Sequence, residues 1–235
     1  MAGTLNIPDG SWLVMDNRIT DLSFEDWILF VFCWPADASG WSVGNQWQSD
    51  ECWDAPEAVV VEYLTRLFEH PVASLADYSD REIAQGLWDI VGDEDYSEAL
   101  SSFQVPLSDR LRCIDAFVIF FRDIFVPRCT DSLEHLSETG NPLNTICYMW
   151  WDLLYIQPAP PERAVVFEAI VRSQTSILHL SSTVCQEAAL HGFGHWLEID
   201  AVTIQQTIDH WLLQQPHLRP ELRNYAQAAR CGCIA

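Results

Sequence analysis

Val59, Tyr63, Leu64, Leu67 and Phe68 place an apolar stripe along one face of a helix, and spacing of this kind recurs through nearly the whole chain. Strand-like alternation is scarce; Trp12-Leu-Val-Met15 is the one candidate, and it is short. Local start and stop signals divide the pattern into helices. Ser23 is placed to cap a helix through Cys33 that Pro35 stops, and Asp54 to cap the next, with Pro56 in its first turn. Ser79-Asp-Arg-Glu82 is a capping box opening a helix that ends by Gly92. Ser108 can open a long helix to Val126, closed by Pro127. Asn144 to Ile156, Glu162 to about Leu180, Ser182 to Ile199, Val202 to Gln214 and Pro220 to Arg230 complete the set. The predicted fold class is therefore all-α, either an irregular HEAT-like helical repeat or a compact multi-helix domain.

No long biased linker interrupts the 235 residues, so one continuous helical domain over 1–235 is expected. It comprises an acidic, Trp-rich part over 1–107 and repeat-like helices over about 108–232. Ala116, Ala189 and Ala226 recur 73 and 37 residues apart, which suits a period near 37 with one divergent unit between. Cys185-Gln-Glu-Ala-Ala-Leu-His-Gly-Phe-Gly194 and, more weakly, Leu218-Arg-Pro-Glu-Leu-Arg-Asn-Tyr-Ala226 resemble inner helices of HEAT-like repeats. That resemblance implies helices stacked through small residues. Arg112-Cys-Ile-Asp-Ala-Phe117, Cys147-Tyr-Met-Trp-Trp-Asp152 and Gln186-Glu-Ala-Ala-Leu-His-Gly-Phe-Gly-His-Trp196 also look like stretches in a group of bacterial proteins without assigned activity. This second resemblance implies a bacterial, cytoplasmic protein and transfers no chemistry.

Charge narrows the partners. Thirty-four Asp and Glu stand against 12 basic residues, all of them Arg, for a net charge of −22. Residues 1–100 carry −17 of this. Direct binding to nucleic-acid phosphates is disfavoured because counterion release needs a cationic face. A basic protein or a bound cation is the expected partner. The longest apolar run, Trp27 to Trp34, is eight residues and cannot span a bilayer. The eight Cys are expected as reduced thiols, several of them inside apolar helical patterns.

Two constellations stand out. In the first, Trp41, Trp47 and Trp53 recur every six residues beside Asp50, Glu51 and Asp54. Such spacing suits an interface anchored by Trp as well as rings that cover the first helices. The interface reading gives a non-enzymatic binding protein, an acidic inhibitor or immunity-type protein docking on a basic surface. In the second, Glu187, His191 and His195 follow i, i+4, i+8 spacing and drift only modestly off one helix face. Two imidazoles with Glu187 or Cys185 as a third ligand suit zinc, so a metal-binding module or metal-dependent enzyme is the alternative. Gly192 and Gly194 beside them suit close approach of another helix, in which case the histidines bond to neighbouring helix ends. A homo-oligomeric structural subunit is the third reading. Cys231-Gly-Cys233 and Cys129 are expected to be without a chemical role. No phosphate-binding loop followed by Lys, dinucleotide fingerprint or His-Glu-x-x-His is present, and no catalytic residue or organic cofactor is implied.

Overall fold

The structure, a computed structural model, describes residues 18–33 and 52–234. The described chain is all-α apart from one short pairing. Arg18–Ile19 (β1) and Cys52–Trp53 (β2) run parallel for two residues each, with Ile19 opposite Trp53. The helices follow in order: α1 (Phe24–Phe32), α2 (Glu57–Glu69), α3 (Pro71–Ser74), α4 (Asp80–Gly92), α5 (Glu94–Ser101) and α6 (Leu107–Phe120). After α6 come α7 (Val126–Arg128), α8 (Pro142–Leu153), α9 (Pro160–Leu178), α10 (Thr183–Trp196), α11 (Ala201–Gln214) and α12 (Pro220–Arg230).

Caps set most of these boundaries. The Ser23 side chain accepts from Asp26 N, and Ser79 and Glu82 form the reciprocal capping box. Asp54 does not cap α2; Pro56 occupies the N-cap position without a side-chain bond, and Asp54 N–H instead donates to Ile19 O at 3.0 Å. Ser108 likewise lies inside the first turn of α6 rather than at its cap, which is Pro106. The long helix does not stop before Pro127 either. Residues Phe121–Phe125 form a π-helical segment, with Val126 N–H reaching Phe121 O, and the chain stays helical through Arg128. Proline has no N–H to return to the preceding turn, and widening the helix here accommodates its ring.

Packing builds outward from a continuous apolar cluster that includes Phe24 on α1 and Ala229 on α12. Its middle is aromatic: the Trp150 ring lies 5.4–5.9 Å from those of Phe68, Phe117, Phe120, Phe121 and Phe125, most of them edge-on. Helix α10 packs against α8, α9 and α12. A Cβ on Gly192 would lie 2.3 Å from Gln174 Nε2 on α9 and 2.6 Å from the Trp151 ring on α8, so only glycine admits these two neighbours. Gly194 similarly makes room for Ile234. Ala116, Ala189 and Ala226 are all buried. Among the described residues no helix is long and apolar enough to cross a membrane.

Candidate metal site

Helices α8, α10 and α12 and the turn at Glu134–Leu136 bring Asp152, Tyr148, His195, Tyr225 and His135 together around His191. Asn141 caps α8 through Leu143 N, and Ser182 caps α10 through Cys185 N, which fixes where each helix begins. The buried Asn144 side chain ties α8 to the 130–132 loop through Thr130 O and Ser132 Oγ. On this frame Asp152 stands at the end of α8, one turn beyond Tyr148. His191 and His195 stand one turn apart on α10.

Asp152, His191 and His195 converge, each offering one ligand atom within 4.8 Å of the others. His191 Nε2 is 2.8 Å from Asp152 Oδ2, His195 Nε2 contacts Asp152 Oδ1, and the two Nε2 atoms are 3.2 Å apart. Burial grades across the cluster: the His191 side chain is 3% exposed, Asp152 20% and His195 44%. One side is thus sealed and the other open. Burial alone would raise the Asp152 carboxyl, but the two imidazoles bonded to it hold it well below the usual carboxylate range.

Behind His191 lies a polar backing. Its Nδ1 is 2.6 Å from the Tyr225 hydroxyl, which is 3.0 Å from the Tyr148 hydroxyl. Burial raises the pKa of both phenols, so both remain protonated at neutral pH. The His135 ring stacks on Tyr225 at 4.2 Å.

Glu187 is not part of this convergence. It is fully buried and faces the 133–138 turn, accepting from Glu134 N and His135 N at 3.0 Å each and bonding His135 Nδ1 at 2.5 Å. Three partners occupy its carboxylate, so the acid that joins the two histidines is Asp152, from a different helix. That residue is the one charged side chain in α8, a local signal that spacing within α10 does not register.

The tryptophan constellation divides differently. Trp41, Trp47, Asp50 and Glu51 lie outside the described residues. Trp53 is buried, stacked on Tyr63 at 5.5 Å and 9° and within 5.8 Å of Trp27. It covers the first helices, which corrects its reading as an interface anchor, while Asp54 beside it is exposed. Among the described residues Cys33, Cys113, Cys129, Cys147, Cys185, Cys231 and Cys233 are free thiols; Cys231 and Cys233 are exposed, and buried Cys147, its thiol pushed up by burial, contacts Cys129 and Cys185.

No protein-family model, curated protein or solved structure matches the chain.

Proposed function

We propose that the protein is a metal-dependent enzyme or metal-binding module that holds a zinc-like divalent ion through Asp152, His191 and His195. The convergence of two imidazole nitrogens and a carboxylate carries the reading. With Zn–N bonds of about 2.0–2.1 Å, neighbouring ligands of a tetrahedral ion lie roughly 3.3 Å apart. The 3.2 Å between the two Nε2 atoms meets that spacing. A hydrogen-bonded Nδ1 also fixes the tautomer of a metal-ligating histidine, and the Tyr225 hydroxyl is placed to serve His191 in this way. Three protein ligands with a solvent-facing side correspond to the open layout of catalytic zinc, in which bound water ionises near neutral pH. The activity class that follows is hydrolytic.

The rival docking function keeps the net charge of −22 as its support, with Trp53 withdrawn into the core. Elemental analysis of protein purified without a histidine tag separates the two. About one zinc per chain is expected, with His195→Ala and Asp152→Asn each weakening zinc binding by more than about 100-fold while helix content stays unchanged. A folded chain that neither copurifies with metal nor takes up zinc at micromolar concentration would remove the reading.

A further inference from the structure

Asp152 faces two ways. Besides joining the histidines, it lines a surface groove of about 430 Å³ between the end of α8 and the start of α5. Asp93, Glu94 and Glu98 supply the opposite wall, and no basic residue lines the groove. Nothing cationic there offsets these acids, and burial together with Asp95 and Glu94 raises the Asp93 carboxyl. An uncompensated acidic wall is by itself common on a chain this acidic. A second feature singles this one out. Ser97, on the same lining, is 7% exposed, and its hydroxyl is buried with no hydrogen-bond partner. Ser101, one turn later, bonds back to Ser97 O at 2.8 Å, which is the usual fate of a helical serine. The Ser97 hydroxyl does not, which leaves a polar group without a partner closed off in the lining of the groove.

The groove also has an apolar neighbour. Tyr155 and Gln157 line both it and a second pocket of about 200 Å³, whose wall includes Phe167, Ile170 and Trp196. Trp196 follows the ligand His195 directly on α10, and its indole N–H is buried without a partner. Tyr155 is 59% exposed and stands where the two depressions meet. Arg163 lines the far pocket, which disfavours a second positive charge at that end.

We propose that this trough binds a primary ammonium compound carrying an aromatic or bulky apolar group. The ammonium sits among Asp93, Glu94 and Glu98, over the lining that contains Ser97, and the apolar body lies against Tyr155, Phe167 and Trp196. An anion is disfavoured by the carboxylates, and an amine without an apolar body leaves the aromatic pocket unfilled. That such an amine is the substrate of the neighbouring metal centre rests on the metal reading; its binding does not.

The test is calorimetric titration of the full chain at low salt with 2-phenylethylamine, against phenylacetate and methylamine as matched probes. Each titration is run on chelator-treated and on zinc-loaded protein. Saturable binding of phenylethylamine in both preparations is expected, tighter than either matched probe and weakened by added salt. The exposed pair Glu94→Gln/Glu98→Gln should weaken phenylethylamine about tenfold and leave phenylacetate unchanged. Tyr155→Ala should weaken it about threefold, and circular dichroism confirms that each variant is folded. Equal or tighter binding of phenylacetate, or phenylethylamine affinity indifferent to the Glu94/Glu98 change in folded protein, would overturn the proposal. Amine binding by a chain that takes up no zinc leaves the trough standing and removes the metal reading; zinc uptake without amine binding does the reverse.

Discussion

Two carboxylates on neighbouring helices show how differently one residue type can be set. Asp89 on α4 has Asp93 as a charged neighbour, and burial, reinforced by Asp93, pushes its carboxyl up to about 6. Asp152 on α8, also partly buried, is held low by two imidazoles. The surroundings repeat the contrast. Near Asp89, Tyr96 closes a ring cluster with Trp27, Trp53 and Tyr63, and its hydroxyl accepts from Trp27 Nε1 at 3.1 Å. Near Asp152, Tyr225 and Tyr148 back a histidine whose other nitrogen faces an open edge. Both regions are aromatic, and both hold buried phenols and an acid. What separates a sealed wall from a candidate site is the direction of the lone pairs. In the first region the Trp27 indole N–H and the Tyr96 hydroxyl pair inward, and the Trp53 indole N–H is sealed in without a partner; in the second, two ring nitrogens and a carboxylate converge on one point, where a proton or a metal ion can bridge them.

The hardest test of the sealed region is Trp27→Ala. The ring is fully buried, and its removal leaves a cavity and an unpaired Tyr96 hydroxyl. The expected loss is about 3–5 kcal/mol of unfolding free energy in urea, with zinc stoichiometry unchanged in the protein that remains folded. Loss of zinc at concentrations of denaturant where the chain is still folded would break the comparison, because it would couple the two regions.

Asp89→Asn gives a smaller effect with a distinctive pH signature. A folded-state value of about 6 lies above the ordinary 3.8, so the folded chain is penalised when this carboxyl ionises. The penalty is absent below about pH 4, grows between about pH 4 and 6, and is complete above that. The asparagine variant should therefore gain about 1–2 kcal/mol at pH 7.5 and nothing at pH 3.5, measured by denaturant unfolding at both values. A gain of equal size at both would mean that packing, and not charge, governs the position.

Chain-local chemistry made much of this architecture legible. The Ser23 cap, the Ser79–Glu82 box and the Pro220 start each depend on residues within a few positions of one another, and each stands where the local pattern puts it. Helix α5 escaped the pattern because its sequence, Glu-Asp-Tyr-Ser-Glu-Ala-Leu-Ser, buries little beyond Tyr96, Ala99 and Leu100, and Asp93 ends α4 while capping α5. Within the site, His191 and His195 are visible as an i, i+4 pair. Asp152 and Tyr225 stand 39 and 34 residues from His191 in sequence, and only the packing of α8 and α12 on α10 brings them there. Glu187 shared the right spacing and found other donors in a turn 52 residues away. Spacing reports which side chains share a face; it is silent on which neighbour that face meets.

A matched pair of substitutions sharpens the contrast most finely. Tyr96→Phe and Tyr225→Phe each delete one buried hydroxyl and little else, and each hydroxyl has a ring nitrogen as partner. The first leaves an indole N–H unpaired and should cost about 1 kcal/mol of stability, with zinc affinity unaltered. The second removes the group that orients His191 while leaving all three ligand atoms in place. Its stability cost should be similar, but zinc affinity should fall about tenfold, the lower end of what loss of an orienting partner costs a metal site. Competitive titration against a chromophoric chelator reads the affinity, and urea unfolding of the metal-free proteins reads the stability. If both variants lose stability alone, Tyr225 is packing like Tyr96, and the hydroxyl behind His191 has no part in holding an ion.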